Sequence, residues 1–320
     1  MKLYYYQQIN HKLNGVIPNF GDDLNPWLWT NLIPEIFSDD GDSYFLGAGT
    51  LINDNLLSRL PKAKDIIIFG TGVGYGKSIP SLDERWKIYA LRGPLSAKAL
   101  EVDPNLGLID SGILIRRLFT NNFPKRWHAA YMPHVSFASQ AGCSWQSICE
   151  NLDILFIDPR WPLDKVMQAI CETELLITEA MHGAIAAEAL RTPWIPVKTS
   201  PGILSFKWQD WCQSIGIEYE PVNIELDVLK WVKKTPLKHI SKFTSTQKYT
   251  LSDTNQKHGS LFTTSEYYLA KIKAEKVLKR ISKMSKPVQT NELMIEKLIQ
   301  RLEEKLEEFK SDFQSSKFSS

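Results

Sequence analysis

The amino-acid sequence predicts an α/β fold built from parallel sheets with helices on both faces, in two Rossmann-like halves that face one another. Short apolar runs rich in β-branched residues alternate with helical patterns, the order that parallel strands with crossover helices require. One stretch, Leu175 to Val197 (LLITEAMHGAIAAEALRTPWIPV), shows the unit whole: an apolar strand, a turn at Thr178–Gly183, and an Ala-rich helix stopped before Pro193.

Taken in order, strands are expected at Leu3–Tyr6, Tyr44–Leu46, Ile66–Phe69, Ile88–Leu91, Leu106–Ile109, Ile154–Ile157, Leu175–Thr178 and Trp194–Val197, most of them ended by Gly, Asp or Pro. Helices are expected over Pro94–Val102, with Pro in the first turn, and over Asp164–Glu172, after Pro162. The small, polar stretch Phe137–Ser147 follows Pro133-His134 and reads as the connection between halves. That puts residues 1–137 in an N-terminal and 138–240 in a C-terminal Rossmann-like domain. Residues 241–320 read as a polar linker, with Lys242–Ser260 rich in Lys, Ser, Thr and Gln, and then an amphipathic helix. Its stripe of Ile295, Leu298, Leu302, Leu306 and Phe309 could pack on its own chain or self-associate as a short coiled coil.

The composition narrows the function classes. With 320 residues, 43% hydrophobic and 23% charged, the chain has room for two domains of ordinary size. Lys and Arg number 38 against 36 Asp and Glu, so a net charge of +2 directs the chain to no nucleic acid, and any anion binding is local. Four cysteines without CxxC or Cys/His spacing argue for a reducing compartment with no disulfide framework and no metal site. The start, MKLYYYQQINHKLNG, lacks the apolar core of a signal peptide, and no run approaches about eighteen apolar residues, so the expected location is cytoplasmic.

Several junctions could carry chemistry. Gly47-Ala48-Gly49-Thr50 and Gly70 to Ser78 (GTGVGYGKS) each follow a strand, where glycine lets amides approach an anion or simply allows a tight turn. GxGxxG fails at Tyr75 and Lys77, and the P-loop fails at Thr71, which leaves dinucleotide binding and ATP hydrolysis unsupported. In Leu91–Leu100 (LRGPLSAKAL) a strand ends at Arg92 and a helix carries Ser96 in its first turn. The guanidinium there suits a carboxylate or phosphate, or a salt bridge. His182 stands between a strand's carboxyl end and a helix's amino end, where open α/β sheets bind ligands; a structural histidine is the plain alternative.

Seven segments in order carry a resemblance: NFGDDL (Asn19–Leu24), LGAGTL (Leu46–Leu51), FGTGVGYG (Phe69–Gly76), LRGPLSAKAL (Leu91–Leu100), DSGILI (Asp110–Ile115), YMPHVSF (Tyr131–Phe137) and ITEAMHGAIAAEALRTPWIPV (Ile177–Val197). Together they resemble the polysaccharide pyruvyl transferases, in particular the exopolysaccharide ketal-forming branch. The resemblance implies a GT-B-like fold and transfer of pyruvate from phosphoenolpyruvate to a sugar of an exopolysaccharide or cell-surface glycan precursor, lipid-linked or nucleotide-linked, forming a pyruvate ketal. Phosphoenolpyruvate is then a donor substrate, and no resident cofactor is expected. A lipid-linked acceptor would bring peripheral membrane association.

The same resemblance implies roles. His182 would be the general acid that protonates the enol methylene. Glu179 would hydrogen-bond the imidazole or the acceptor, with a buried partner for a nearby amide as the alternative. Asp22 would orient or deprotonate an acceptor hydroxyl, with helix capping as the alternative. Donor binding would fall to Arg92, Ser96, Gly49, Gly72 and Gly183, because a carboxylate and a phosphate on one small alkene need cations and amides. His134 would contact donor or acceptor, or shape the crossover. Related members carry an Arg two residues before the histidine where this chain has Ala180, so Lys198 and Lys207 become candidates for the phosphate, and the resemblance favours Lys207. Two competing readings are a GT-B glycosyltransferase using a nucleotide-sugar, and a non-catalytic glycan-assembly scaffold that recruits partners through its terminal helix.

Overall fold

A computed structural model describes residues 1–10, 15–199, 202–224, 264–283 and 286–315. The chain starts with β1 (Lys2–Tyr4), followed by an antiparallel hairpin of β2 (Gln8–Asn10) and β3 (Gly15–Ile17), and helix α1 (Phe20–Leu32). β4 (Ser43–Leu46), α2 (Leu56–Arg59), β5 (Asp65–Phe69), β6 (Trp86–Ala90), α3 (Pro94–Ala99) and α4 (Ile115–Leu118) come next. β1, β4, β5 and β6 lie side by side in that order, all parallel. All five residues of β5 (DIIIF) are buried, as an interior parallel strand covered on both faces requires.

A second parallel sheet, in the order β11-β10-β9-β7-β8, is formed by β7 (Ala130–Met132), β8 (Leu155–Phe156), β9 (Leu176–Thr178), β10 (Trp194–Lys198) and β11 (Val222–Asn223). Its crossovers contain α5 (Val135–Asn151), α6 (Leu163–Cys171), α7 (Met181–Ala189) and α8 (Ser205–Ser214). In α7 every residue except His182 is buried, and apart from Glu188 the buried ones are all apolar or glycine, as a helix wedged between other layers requires.

Differences from the expectations have local causes. The stretch Phe137–Ser147 is no loop: α5 runs through it, started by His134 as N-cap and packed through Phe137, Trp145 and Ile148. Its small residues concealed a helix that draws stability from burial rather than from propensity. The chain enters the second sheet before this point, at β7, whose sequence Ala-Tyr-Met lacks β-branched residues. Leu106–Ile109 is not a strand. Asp103 accepts the Asn105 amide (2.9 Å) and starts a 3-10 turn over Pro104–Leu106, leaving one bridge between Leu91 and Gly107.

Helices Thr264–Ile281 and Glu292–Gln314 complete the described chain. Asn291 caps the second by accepting from the Leu293 and Met294 amides, and Ile295, Leu298, Ile299, Leu302, Leu306 and Phe309 are buried in the main core. Phe309 meets Phe45 (5.3 Å between centroids) and Tyr89 (5.4 Å), while Arg117 pairs with Glu296 and Glu303. Just upstream, Val288 pairs with Trp194, and buried Glu188 takes the Thr290 amide (3.1 Å). The apolar stripe is therefore committed within the chain, and a coiled coil through it would have to unseat it. Lys242–Ser260, expected as linker, lies outside the described residues. Among those described, no helix is long and apolar enough to cross a membrane.

Candidate active site

The carboxyl ends of both sheets meet. The Phe20 amide at the start of α1 donates to the carbonyl of Pro159, beyond β8 (2.8 Å), and α7 packs against α1 and the 3-10 turn Ser111–Leu114. This brings His182, which follows β9, against three glycines from the other half. A methyl group on Gly21 would lie 2.2 Å from Nδ1; on Gly112 it would lie 3.6 Å from Cδ2, and on Gly49 3.9 Å from Cε1. The imidazole thus occupies a slot that only side-chain-free loops leave open, and it remains 15% exposed. Its Nε2 is 3.7 Å from Oδ2 of Asp110 and makes no hydrogen bond. Asp110 is fully buried, its carboxylate held by the amides of Gly112 (2.9 Å) and Gly49 (3.3 Å).

Three further side chains face this region. At the start of α1, Asp23 takes the Asn19 amide (3.0 Å), so the capping duty falls to Asp23, and Asp22 instead accepts from Asn19 Nδ2 (2.6 Å). Pro26 removes the amide that would bond the Asp22 carbonyl, and Asn25 Nδ2 takes that carbonyl (3.3 Å) together with that of Ala48 (3.2 Å). Burial pushes the Asp22 carboxyl above its ordinary value, opposed first by the Asn19 hydrogen bond and then by the nearby charge of His182, with Lys207 also contributing. Lys207, on α8 and 8% exposed, donates to the hydroxyl of Tyr75 (2.8 Å). His134 shares Nδ1 with the Ser136 hydroxyl (2.8 Å); burial, and after it the charge of Lys207, lowers the imidazole to about 4, so it is neutral at neutral pH. The charges of His182 and Lys207 are thus felt at Asp22 and that of Lys207 at His134, which links four side chains from four different crossovers in one electrostatic neighbourhood.

The other residues expected here are placed differently. Arg92 is fully buried: Nε donates to Asp210 (2.9 Å), one terminal nitrogen to Thr50 Oγ1 (2.7 Å) and the Gly49 carbonyl (3.2 Å), the other to the Val73 carbonyl (2.8 Å). Ser96 is equally buried, donating to Asp210 and accepting the Val73 amide. Arg92 and Ser96 therefore tie the end of β6 and the start of α3 to α8 through Asp210. Gly72 makes room for that guanidinium, since a methyl there would lie 2.5 Å from Cζ, and its amide is committed to the Gly49 carbonyl (3.1 Å). Gly49, at φ +117°, gives its own amide to Asp110, so neither glycine presents the free amide an anion needs. Glu179, 1% exposed, accepts from the amides of His134 (3.3 Å) and Thr199 (2.6 Å), joining the ends of β7 and β10. Gly183 lets α7 approach Met132, whose sulfur would lie 2.7 Å from an added methyl. Lys198 donates to Ser205 (3.0 Å).

Asp110, Asn19, Asn25 and Tyr75 are the additions that sequence reasoning did not single out. For the first, the signal was present in Asp110-Ser111-Gly112, an acidic residue capping a turn directly after an apolar run. No group of three metal-ligating side chains stands together among the described residues.

Comparison with known proteins gives two findings. The model of the family described as "Polysaccharide pyruvyl transferase" matches residues 4–201. A "Succinoglycan biosynthesis protein ExoV" from Rhizobium meliloti (strain 1021) is 38% identical over 227 residues, covering 70% of this chain and 68% of that protein.

Proposed function

This chain belongs to the polysaccharide pyruvyl transferase family, and on that premise we propose that it transfers pyruvate from phosphoenolpyruvate to a sugar of an exopolysaccharide precursor, closing a cyclic ketal. The observation that carries the reading is the His182 imidazole: set among the glycines where the two sheets meet, partly exposed although its Nε2 is buried, and with its charge felt at Asp22. That meeting of parallel sheets at their carboxyl ends supports a GT-B-like arrangement.

His182 delivers a proton to the terminal methylene of phosphoenolpyruvate, which makes C2 oxocarbenium-like. A sugar hydroxyl adds to C2 and gives up its proton to Asp22, whose raised carboxyl is a stronger base than an exposed one. The C2–O bond to phosphate breaks and a second hydroxyl closes the ring. One hydroxyl proton finishes on the new methyl group and the other on phosphate. Buried Asp110, with Oδ2 3.7 Å from Nε2, orients the imidazole for the proton transfer. With Arg92 committed elsewhere, Lys207 is the cation for the donor, joined by the first-turn amides of α7, which has no side-chain cap. No resident cofactor enters the scheme. A lipid-linked acceptor would bring the protein to a membrane surface without a spanning helix.

Phosphoenolpyruvate with a panel of lipid-linked and nucleotide-linked glycans provides the test. Phosphate release coupled to a gain of one pyruvylidene group on the sugar is expected. In parallel, phosphoenolpyruvate should raise the melting temperature and UDP- or GDP-sugars should not. The reverse pattern would replace this reading with nucleotide-sugar transfer.

A further inference from the structure

We propose that Tyr75 is a stacking platform for a pyranose ring of the glycan acceptor, standing at the rim of the His182 cluster; the assignment rests on the transferase reading above. Tyr75 is 54% exposed, and among the described residues no other ring packs on it. Its backbone has φ +64°, an unfavourable conformation for a bulky non-glycine residue, which persists only where the surroundings impose it.

The surroundings do impose it. Gly74 donates to the Ile52 carbonyl (3.1 Å) and accepts from Asn53 Nδ2 (3.3 Å), and the Lys77 amide donates to Asp54 (3.3 Å). A methyl on Gly74 would lie 2.7 Å from Leu204 and from Thr50, and one on Gly76 would lie 2.6 Å from Asp54. The loop is thus fixed on both sides of a ring it holds out to solvent. Lys207 fixes the ring itself, donating to the phenolic oxygen (2.8 Å) with its ammonium 5.2 Å from the centroid. Gly74, next to Tyr75, packs against Thr50, whose neighbour Gly49 lies against the His182 ring, and the charge of Lys207 is felt at Asp22 and His134, so Tyr75 belongs to the same neighbourhood as the acceptor base.

A held, exposed phenol ring suits one substrate of this reaction and not the other. Phosphoenolpyruvate is small and doubly anionic, and the negative face of an aromatic ring gives it nothing. A pyranose presents a face of C–H groups, slightly positive, which packs on that ring face. The phenolic oxygen accepts from Lys207 and keeps its own proton for a sugar oxygen.

The experiment compares wild type, Tyr75→Ala and Tyr75→Phe by saturation-transfer NMR with methyl β-D-glucopyranoside, methyl β-D-galactopyranoside and their β-linked disaccharides. Wild type and Tyr75→Phe should transfer saturation to the C–H protons of one sugar face, and Tyr75→Ala should not. In the transfer assay Tyr75→Ala should raise the acceptor KM about tenfold over Tyr75→Phe, the equivalent of about 1.4 kcal/mol, with the phosphoenolpyruvate KM the same in the two variants, which both lack the hydroxyl that holds Lys207. Equal sugar signals in Tyr75→Ala, no signal in wild type, or an acceptor KM equal in Tyr75→Ala and Tyr75→Phe would overturn the platform. Signals that vanish only in Tyr75→Ala, while no variant transfers from phosphoenolpyruvate, would keep the platform and remove the pyruvyl reading. Intact transfer with an unchanged acceptor KM would do the opposite.

Discussion

Arg92 and His182 stand at similar places, each just beyond the end of a parallel strand and beside the start of a helix, and each meets an aspartate from another part of the chain. Their surroundings differ completely. Arg92 is sealed from solvent, and its fork is distributed over Asp210, Thr50 and two carbonyls, while Asp210 also holds the Ser96 amide (2.9 Å). His182 keeps Nε2 without a hydrogen bond, 3.7 Å from Asp110, and remains partly exposed. Both look like ligand-binding positions in one dimension. What separates them is whether the polar atoms are already satisfied, since buried groups almost always are and an exception asks for an explanation.

Four experiments break or sharpen this contrast, starting with the largest effect. Arg92→Met leaves Asp210 buried without its counter-ion and should cost about 3–5 kcal/mol, read from the urea midpoint. Arg92→Met with Asp210→Leu should recover most of that loss. A single variant within about 1 kcal/mol of wild type would return Arg92 to the list of substrate ligands. His182→Ala should behave inversely, lowering turnover by about 10²–10⁴-fold while the midpoint moves by less than about 1 kcal/mol. Retained turnover would take the imidazole out of the mechanism.

The third tests His134, whose folded value of about 4 lies below its ordinary 6.5. Between these values the unfolded chain binds the proton and the folded chain does not, so stability is lost as pH falls from about 6.5 to about 4, by at most about 3 kcal/mol. His134→Gln should flatten that part of the stability profile, and an unchanged slope would refute the assignment. The smallest effect belongs to Asn19→Ala. Its hydrogen bond favours the ionised form of Asp22, so removing it should raise that carboxyl further and move the acidic limb of kcat/KM to higher pH. A limb displaced to lower pH would mean that another group sets it.

Legibility in the sequence follows the same division. Strands such as β5, with Ile66-Ile67-Ile68, and helices such as α7 declare themselves because burial on all sides demands apolar runs. β7 and α5 are quieter, since Ala, Tyr, Ser and Gly take their structure from what packs on them. In the site, position was readable and orientation was not. LRGPLS and EAMHG each announce a strand end beside a helix, but no spacing tells whether Asp210, over a hundred residues away, has already claimed the guanidinium. Asp110 and Tyr75 were hidden for the same reason, because their roles depend on partners that only the fold brings near.

The seating of helix Glu292–Gln314 has a consequence for synthesis. Phe309 covers Phe45 and Tyr89 of the first sheet, although more than half of the chain separates them in sequence. While the ribosome is still translating the second half, the aromatic side of the first sheet lacks its lid and offers a sticky surface to any neighbour. The core of the first sheet is therefore complete only once this helix has been made and seated.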